Sequence, residues 1–191
     1  MTFFETLKVS DGEIQNLHFH NKRLNYTIKE NFGIDANIDL REHIQQGDFS
    51  LERCKVIYDK TIKTIQFFPL NPRKFQYFKV LETNITYNFK NVDREDITSL
   101  VNLKGTCDDI IMIKNGLVTD TSIANIAIYD GLKWITPKKP LLKGTFRASL
   151  LEKQLLLEKD VKIKDIKNAV RFALMNALVG FYEVKGVKFE F

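Results

Sequence analysis

The sequence predicts an α+β protein of two lobes. Three observations predict it. Apolar or alternating runs of strand length fill much of the chain and meet at short turn signals, with Asn115-Gly116, Asp130-Gly131 and Lys185-Gly186 the clearest. Helical apolar spacing is confined to a few stretches, so hairpins rather than βαβ units dominate the pattern. The segment Leu70–Arg73 (LNPR) is a Pro-bearing polar break between strand-rich blocks. It divides a small N-terminal α/β lobe, residues 1–72, from a C-terminal lobe, residues 73–191. A chain of 191 residues accommodates two small lobes with a shared interface and buries a core without staples.

Each element follows from local pattern. TFFETLKV reads as a strand, SDGE as a turn and IQNL as the returning strand. From Leu17 to Phe32 the residues Phe19, Leu24, Ile28 and Phe32 recur at helical spacing, and Gly33 supplies the stop. DLREHIQQG is a second short helix ended by Gly47. RCKVIYDKTIKTIQFFPL gives two strands about a DK turn, and KFQYFKVLE a further strand. EDITSLVNLKG is a helix closed by Gly105, DIIMIK a buried strand, and Asn115-Gly116 the strongest hairpin signal in the chain. SIANIAIYDGLKWIT supplies two strands about Asp130-Gly131. GTFRASLLEKQLLLEK reads as one amphipathic helix. The terminal FYEVKGVKFEF reads as a hairpin turning at Lys185-Gly186.

Composition narrows the function classes. Hydrophobic residues make up 44% and aromatics 12%, with 15 Phe, which is globular rather than disordered. The net charge of +5 admits a polyanion partner, but the basic clusters are short and interleaved with apolar or acidic residues. A small anionic substrate accounts for the excess equally well, and no nucleic acid is expected. Two cysteines, Cys54 and Cys107, without CxxC spacing fit a reduced, cytoplasmic protein. The N-terminus has no signal-peptide pattern, and no apolar run reaches the roughly 18 residues of a membrane helix. His18, His20 and His43 lack zinc spacing, so no metal is expected. No GxGxxG, GxxxxGK[ST] or GxSxG is present.

Several residues could carry chemistry. Asp120 lies between the apolar runs GLV and IANIAI, where a bare carboxylate is costly. Either it turns a hairpin or it holds a cationic ligand nitrogen. LLKGTFR presents consecutive amides at a helix start behind a Gly, which is either an anion cradle or a simple N-cap by Thr145. Asn176-Ala177 is a second polar step in apolar sequence, a turn or a cradle. His20 and Arg23 stand one helical turn apart, an exposed basic face or an arginine aimed at a phosphate. Lys90, with Arg94 four residues on, could bond a carbonyl cofactor if its amine is neutral.

In order, these pieces resemble the fold type IV pyridoxal-phosphate enzymes, the aminotransferase class IV superfamily. The matching segments are FFETLKV-DG, LHFHNKRL, FKNVDR, DDIIMIKNGLVTDTSIANIAIYDGLKWITP, LLKGTFR and LMNALVG, spread over nearly the whole chain. The set from Asp108 to Arg147 is the most specific. The resemblance implies a two-lobe fold like that of D-amino-acid aminotransferases, with a barrel-like C-terminal lobe and pyridoxal 5'-phosphate as cofactor. It implies that Lys90 is the catalytic lysine that bonds the cofactor. Asp120 stands where the family usually has a Glu that pairs with the pyridine nitrogen. Arg23, Thr145, Phe146, Asn176 and Ala177 stand where the family holds the phosphate. A homodimer is also implied.

The resemblance is strongest to 4-amino-4-deoxychorismate lyase, which releases 4-aminobenzoate and pyruvate for folate biosynthesis. The chain is short, KNVDR has the KxxxR form of the lyases, and Glu95 stands where branched-chain enzymes usually carry Tyr. A class IV aminotransferase acting on a branched-chain or D-amino acid is the second expectation, and a non-enzymatic binding protein or degenerate homologue the third. Arg94, Arg147 and Arg171 are candidates for the substrate carboxylates, with nothing in the sequence to rank them.

Overall fold

The computed structural model describes residues 1–44, 51–71 and 73–191. Its contacts divide the chain into two compact units, Met1–Pro72 with Phe89–Asp93, and Arg73–Asn88 with Arg94–Phe191. The sequence boundary assigned all of residues 73–191 to the second lobe. The segment Phe89–Asp93 groups with the first unit because its backbone pairs with the N-terminus. The Phe4 amide donates to Lys90 O at 2.9 Å and the Val92 amide to Thr2 O at 3.0 Å.

The first unit is a four-stranded antiparallel sheet in the order β2 (Glu13–Ile14), β1 (Phe3–Ser10), β3 (Leu51–Tyr58), β4 (Ile62–Pro69), with one long helix packed on it. Strand β1 (Phe3–Ser10) alternates strictly, with residues 3, 5, 7 and 9 buried. Three of these are apolar, Phe3, Leu7 and Val9, and the fourth is Glu5. The return strand β2 is only Glu13–Ile14, because Asn16 turns left-handed (φ 59°) and starts helix α1 (Leu17–Phe32) immediately after. Gly33 closes α1 at φ 68°, as its position in the sequence predicts. Helix α2 is one turn, Leu40–His43, with the Asp39 carboxylate accepting from the Arg41 amide. The expected stop at Gly47 lies outside the described residues. Strands β3 (Leu51–Tyr58) and β4 (Ile62–Pro69) complete the sheet. Leu24, Ile28, Leu40, Cys54, Val56 and Tyr58 fill the core beneath α1.

The second unit is a nine-stranded mixed sheet that branches at one strand. Strand β5 (Tyr77–Glu82) runs parallel to β6 (Asp109–Lys114), and helix α3 (Glu95–Asn102) lies between them in sequence. The β6–β7 turn is the predicted Asn115-Gly116 pair, both residues at positive φ (53° and 74°), as a two-residue hairpin of this hand requires. Strand β7 (Leu117–Thr121) meets β8 (Asn125–Tyr129) at a single pair, Asp120 with Asn125. Strand β9 (Trp134–Pro137) continues along the other end of β8.

Downstream, the structure departs from the sequence reading in two places. The helix expected to run to Lys159 stops early: α4 is Thr145–Glu152. Gln154 then turns left-handed (φ 58°), and Leu157–Lys159 forms an exposed edge strand, β10, parallel to β9. The expected terminal hairpin is also not formed. After the short helix α5 (Ile163–Lys167), strand β11 (Arg171–Asn176) pairs with β8 on one side and β12 (Gly180–Glu183) on the other. The last strand, β13 (Lys188–Glu190), leaves β12 and runs parallel to β5. Glu190 pins it there, accepting from Lys79 Nζ at 3.0 Å and from Tyr77 Oη at 3.1 Å. Among the described residues no helix is long and apolar enough to cross a membrane.

Candidate functional site

In the second unit the chemistry gathers at one end of β7 and β8. The β7 side chains at 119, 120 and 121 are all buried, and Asp120 is 4% exposed. Its Oδ1 accepts from Asn125 Nδ2 at 2.6 Å, and its Oδ2 accepts from the Leu142 amide at 2.9 Å. Among the described residues no cation lies within ion-pair distance of it. Burial pushes its carboxyl up to about 6, against the two hydrogen bonds and the charge of Arg147, which pull the other way. Two of the carboxylate's roughly four acceptor sites are occupied, so it can still accept from a cationic ring N–H.

Asn125 connects this carboxylate to the start of α4. Its Nδ2 also donates to Leu142 O at 2.8 Å, and its Oδ1 accepts from the Gly144 amide at 3.1 Å. A Cβ at Gly144 would stand 2.0 Å from Asn125 Oδ1, so only glycine fits. The first helical hydrogen bond of α4 runs from the Ala148 amide to Gly144 O. The amides of Phe146 and Arg147 therefore sit in the first turn ahead of that bond, at the positive end of the helix. The ring of Phe146 packs on the β11–β12 turn, 3.5 Å from where a Cβ of Gly180 would be. In that turn Asn176 Oδ1 accepts from the amides of Leu178 (2.9 Å) and Val179 (3.0 Å), while Nδ2 donates to Ile123 O at 3.3 Å. The Asn176 side chain is thus committed to the turn, and its contribution to any anion is through backbone. Asp120, Thr145, Phe146, Asn176 and Ala177 are brought into one neighbourhood.

The two other predicted residues, Arg23 and Lys90, belong to the first unit. There Glu5, fully buried on the apolar face of β1, accepts from Arg23 Nε at 2.8 Å and Nη2 at 2.5 Å, and bonds His20 Nδ1 at 2.6 Å. Burial alone would raise the Glu5 carboxyl; the Arg23 charge and the His20 contacts outweigh it and hold it at about 2. His20 is held below its ordinary value, first by burial and further by the positive charges of Arg23 and Lys90. Of the two readings of this pair, an exposed basic face does not describe it: His20 is completely buried and Arg23 turns to the buried Glu5. Lys90 Nζ lies 4.6 Å from the centroid of the Phe4 ring. Sequence reasoning missed Glu5. The signal was an acid in phase with Phe3, Leu7 and Val9.

The three candidate arginines differ sharply. Arg147 is 4% exposed and clasps α4 to the sheet, donating from Nη2 to Pro137 O (2.9 Å) and Glu158 Oε1 (2.5 Å). Arg171 forks onto Glu183 and stacks on Trp134, 5.1 Å from its centroid. Arg94, the N-cap residue of α3, donates from Nη2 to Ser122 O.

A buried carboxylate with no cation in ion-pair distance among the described residues, joined through Asn125 to a glycine-fronted helix start, can hold a cationic nitrogen and an anionic group. Pyridoxal phosphate has both, and these residues fit it. Comparison with known proteins agrees. Residues 102–187 match the family model of amino-transferase class IV. A Haemophilus influenzae protein of uncharacterised function is 36% identical over 186 residues, 93% of this chain and 97% of that one. A solved structure of a candidate 4-amino-4-deoxychorismate lyase from Haemophilus somnus superposes with a TM-score of 0.83 at 30% identity, covering 94% of this chain and 97% of that one. A candidate amino-acid aminotransferase from Mesorhizobium loti has a TM-score of 0.82 at 20% identity, covering 99% of each, which shows the fold alone. The chain belongs to the amino-transferase class IV family, the fold type IV enzymes that use pyridoxal phosphate.

Proposed function

We propose that the protein is a pyridoxal-phosphate-dependent lyase that converts 4-amino-4-deoxychorismate to 4-aminobenzoate and pyruvate. For cofactor use, the observation that carries most weight is Asp120, a buried carboxylate raised to about 6 with no cation in ion-pair distance among the described residues. For the reaction, the support is the 30% identity, over nearly the full length of both chains, with a protein described as a candidate lyase of this type. The KxxxR form from Lys90 to Arg94 agrees with it.

In this reading Asp120 holds a proton on the cofactor's ring nitrogen. The first-turn amides of α4 and the backbone at Asn176-Ala177 hold the phosphate, and the arginine that the family resemblance assigns to this task is Arg23. The bound cofactor supplies an electron sink for the carbon that loses its proton. Lys90 is the catalytic base: its amine takes the proton from the amine-bearing ring carbon as the bond to the enolpyruvyl oxygen breaks. The same amine returns a proton to the departing group, which leaves as pyruvate, so no water or oxidant is consumed. The substrate is small and anionic, and the assembly is a homodimer; a native mass of one chain would remove that last part.

The protein purified with pyridoxal phosphate should be yellow, and Lys90→Ala should lose the colour. Incubation with 4-amino-4-deoxychorismate should release 4-aminobenzoate and pyruvate in equal amounts. A colourless protein that cannot be reconstituted rejects the cofactor. Transfer of an amino group to 2-oxoglutarate from a branched-chain or D-amino acid, without 4-aminobenzoate formation, selects the aminotransferase instead.

A further inference from the structure

Three arginines enter with equal claim to the substrate's carboxylates, and their surroundings separate them. Arg147 and Arg171 are matched by carboxylates and serve as structural clasps. Arg94 has no carboxylate within ion-pair distance among the described residues, and its Nε is buried without an acceptor. A guanidinium carries five N–H donors in a fixed fork. One Nη2 donor of Arg94 is used on Ser122 O, which fixes the direction of the fork. A buried donor on a charged group without a partner is costly, and an anionic oxygen is the acceptor that relieves it best.

Its place matters as much as its vacancy. Ser122 lies two residues past Asp120, in the turn between β7 and β8. The next residue of that turn, Ile123, accepts from Asn176. Arg94 therefore reaches the same turn as the carboxylate and the amide cradle. The ring of Tyr87 lies 5.7 Å from the guanidinium carbon and offers an apolar, electron-rich face. Asp109 is bonded by Ser122; it is buried, with Oδ2 unpartnered. Burial raises its carboxyl, against bonds from Ser122, Ile110 and Thr121, and it makes no ion pair with Arg94.

We propose that Arg94 is a specificity residue that receives a carboxylate of the substrate at the β7–β8 turn. The proposal rests on the lyase reading for the identity of that substrate. It names one arginine of three, and it gives the KxxxR spacing a task separate from that of Lys90.

The test is binding rather than turnover. Cofactor-loaded wild type, Arg94→Gln and Arg94→Lys are titrated calorimetrically with 4-aminobenzoate and with 4-aminobenzamide, which keeps the ring and lacks the charge. Wild type should prefer the carboxylate. Arg94→Gln keeps a donor for Ser122 O and should lose that preference by roughly tenfold to a hundredfold, the range of a charged hydrogen bond. Its affinity for the amide and its bound cofactor per chain should stay unchanged. Arg94→Lys should recover part of the preference. Equal preference in wild type and Arg94→Gln overturns the inference, as does a wild type with no preference. Absence of 4-aminobenzoate formation by wild type, with the Arg94-dependent preference intact, strikes the lyase reading alone.

Discussion

Asp120→Asn removes a charge that the unloaded protein holds at a cost, and the cost can be worked out. The free carboxyl ionises near 3.8, and burial raises it in the folded chain to about 6. The folded state therefore binds more protons than the unfolded state between these two values. Stability falls as pH rises through that window, and the Asp120 contribution is complete above it. A shift of about two units corresponds to about 3 kcal/mol. The side chain is 4% exposed, so solvent screening takes little from that figure. Asn at 120 has no such dependence. It has a fixed cost instead, since an amide facing both Asn125 Nδ2 and the Leu142 amide can satisfy only one donor, a loss of about 1 kcal/mol.

The assay is urea unfolding of cofactor-free wild type and Asp120→Asn from pH 4.5 to 7.5. The variant should gain on wild type by about 2 kcal/mol between pH 4.5 and 7, the rest of the shift lying below pH 4.5, with no further change above pH 7. Asp109 and Glu5 also titrate, but both proteins carry them and the difference cancels their slopes. With pyridoxal phosphate bound, a cationic ring nitrogen stabilises the wild-type carboxylate, and the advantage of the variant should vanish. A stability difference independent of pH in the cofactor-free proteins would refute the account of Asp120 as an uncompensated buried charge.

Two further outcomes follow from neighbouring contacts. Glu5→Gln leaves Arg23 and His20 without their shared carboxylate and should cost about 3–5 kcal/mol at pH 7, read by urea unfolding. Because the Glu5 carboxyl is lowered from 4.5 to about 2, that cost should be full above pH 4.5 and shrink as pH falls toward 2. Gly144→Ala places a methyl 2.0 Å from Asn125 Oδ1 and should destabilise by about 1–3 kcal/mol, with a matching loss of cofactor affinity measured by absorbance titration.

Local chemistry is what the sequence made legible. Asn115-Gly116 and Gly33 are read correctly because left-handed backbone depends on the residue itself. Asp120 stands out because a carboxylate among apolar strands demands a partner wherever the strands go. The misreadings share a non-local cause. Leu155, Leu156 and Leu157 fit a helical stripe, but the chain turns at Gln154 and the segment pairs with β9 instead. Phe189 pairs with Phe78, over a hundred residues back, rather than with the strand just before it, and no turn signal encodes that choice. Arg147 and Arg94 look alike in sequence. They differ only through Glu158 and Pro137 O, which fold against one and not the other.

The carboxylate and the anion cradle are not separate inventions of the sequence, because Asn125 holds both. Its amide nitrogen orients Asp120 and its amide oxygen fixes Gly144 at the mouth of α4. The position of Asp120 relative to the helix start is therefore set by one planar side chain rather than by the packing of two loops. The contacts also suit an Asp, rather than a Glu, at position 120. With Oδ1 at 2.6 Å from Asn125 and Oδ2 at 2.9 Å from the Leu142 amide, the shorter side chain already spans to both. An added methylene would have to displace Asn125, and Gly144 leaves it no space to move into. The glycine's requirement is steric, not conformational, since its φ of −68° suits any residue. Aspartate, asparagine and glycine at 120, 125 and 144 thus form one interlocked choice, in which a change at any one position is felt at the other two.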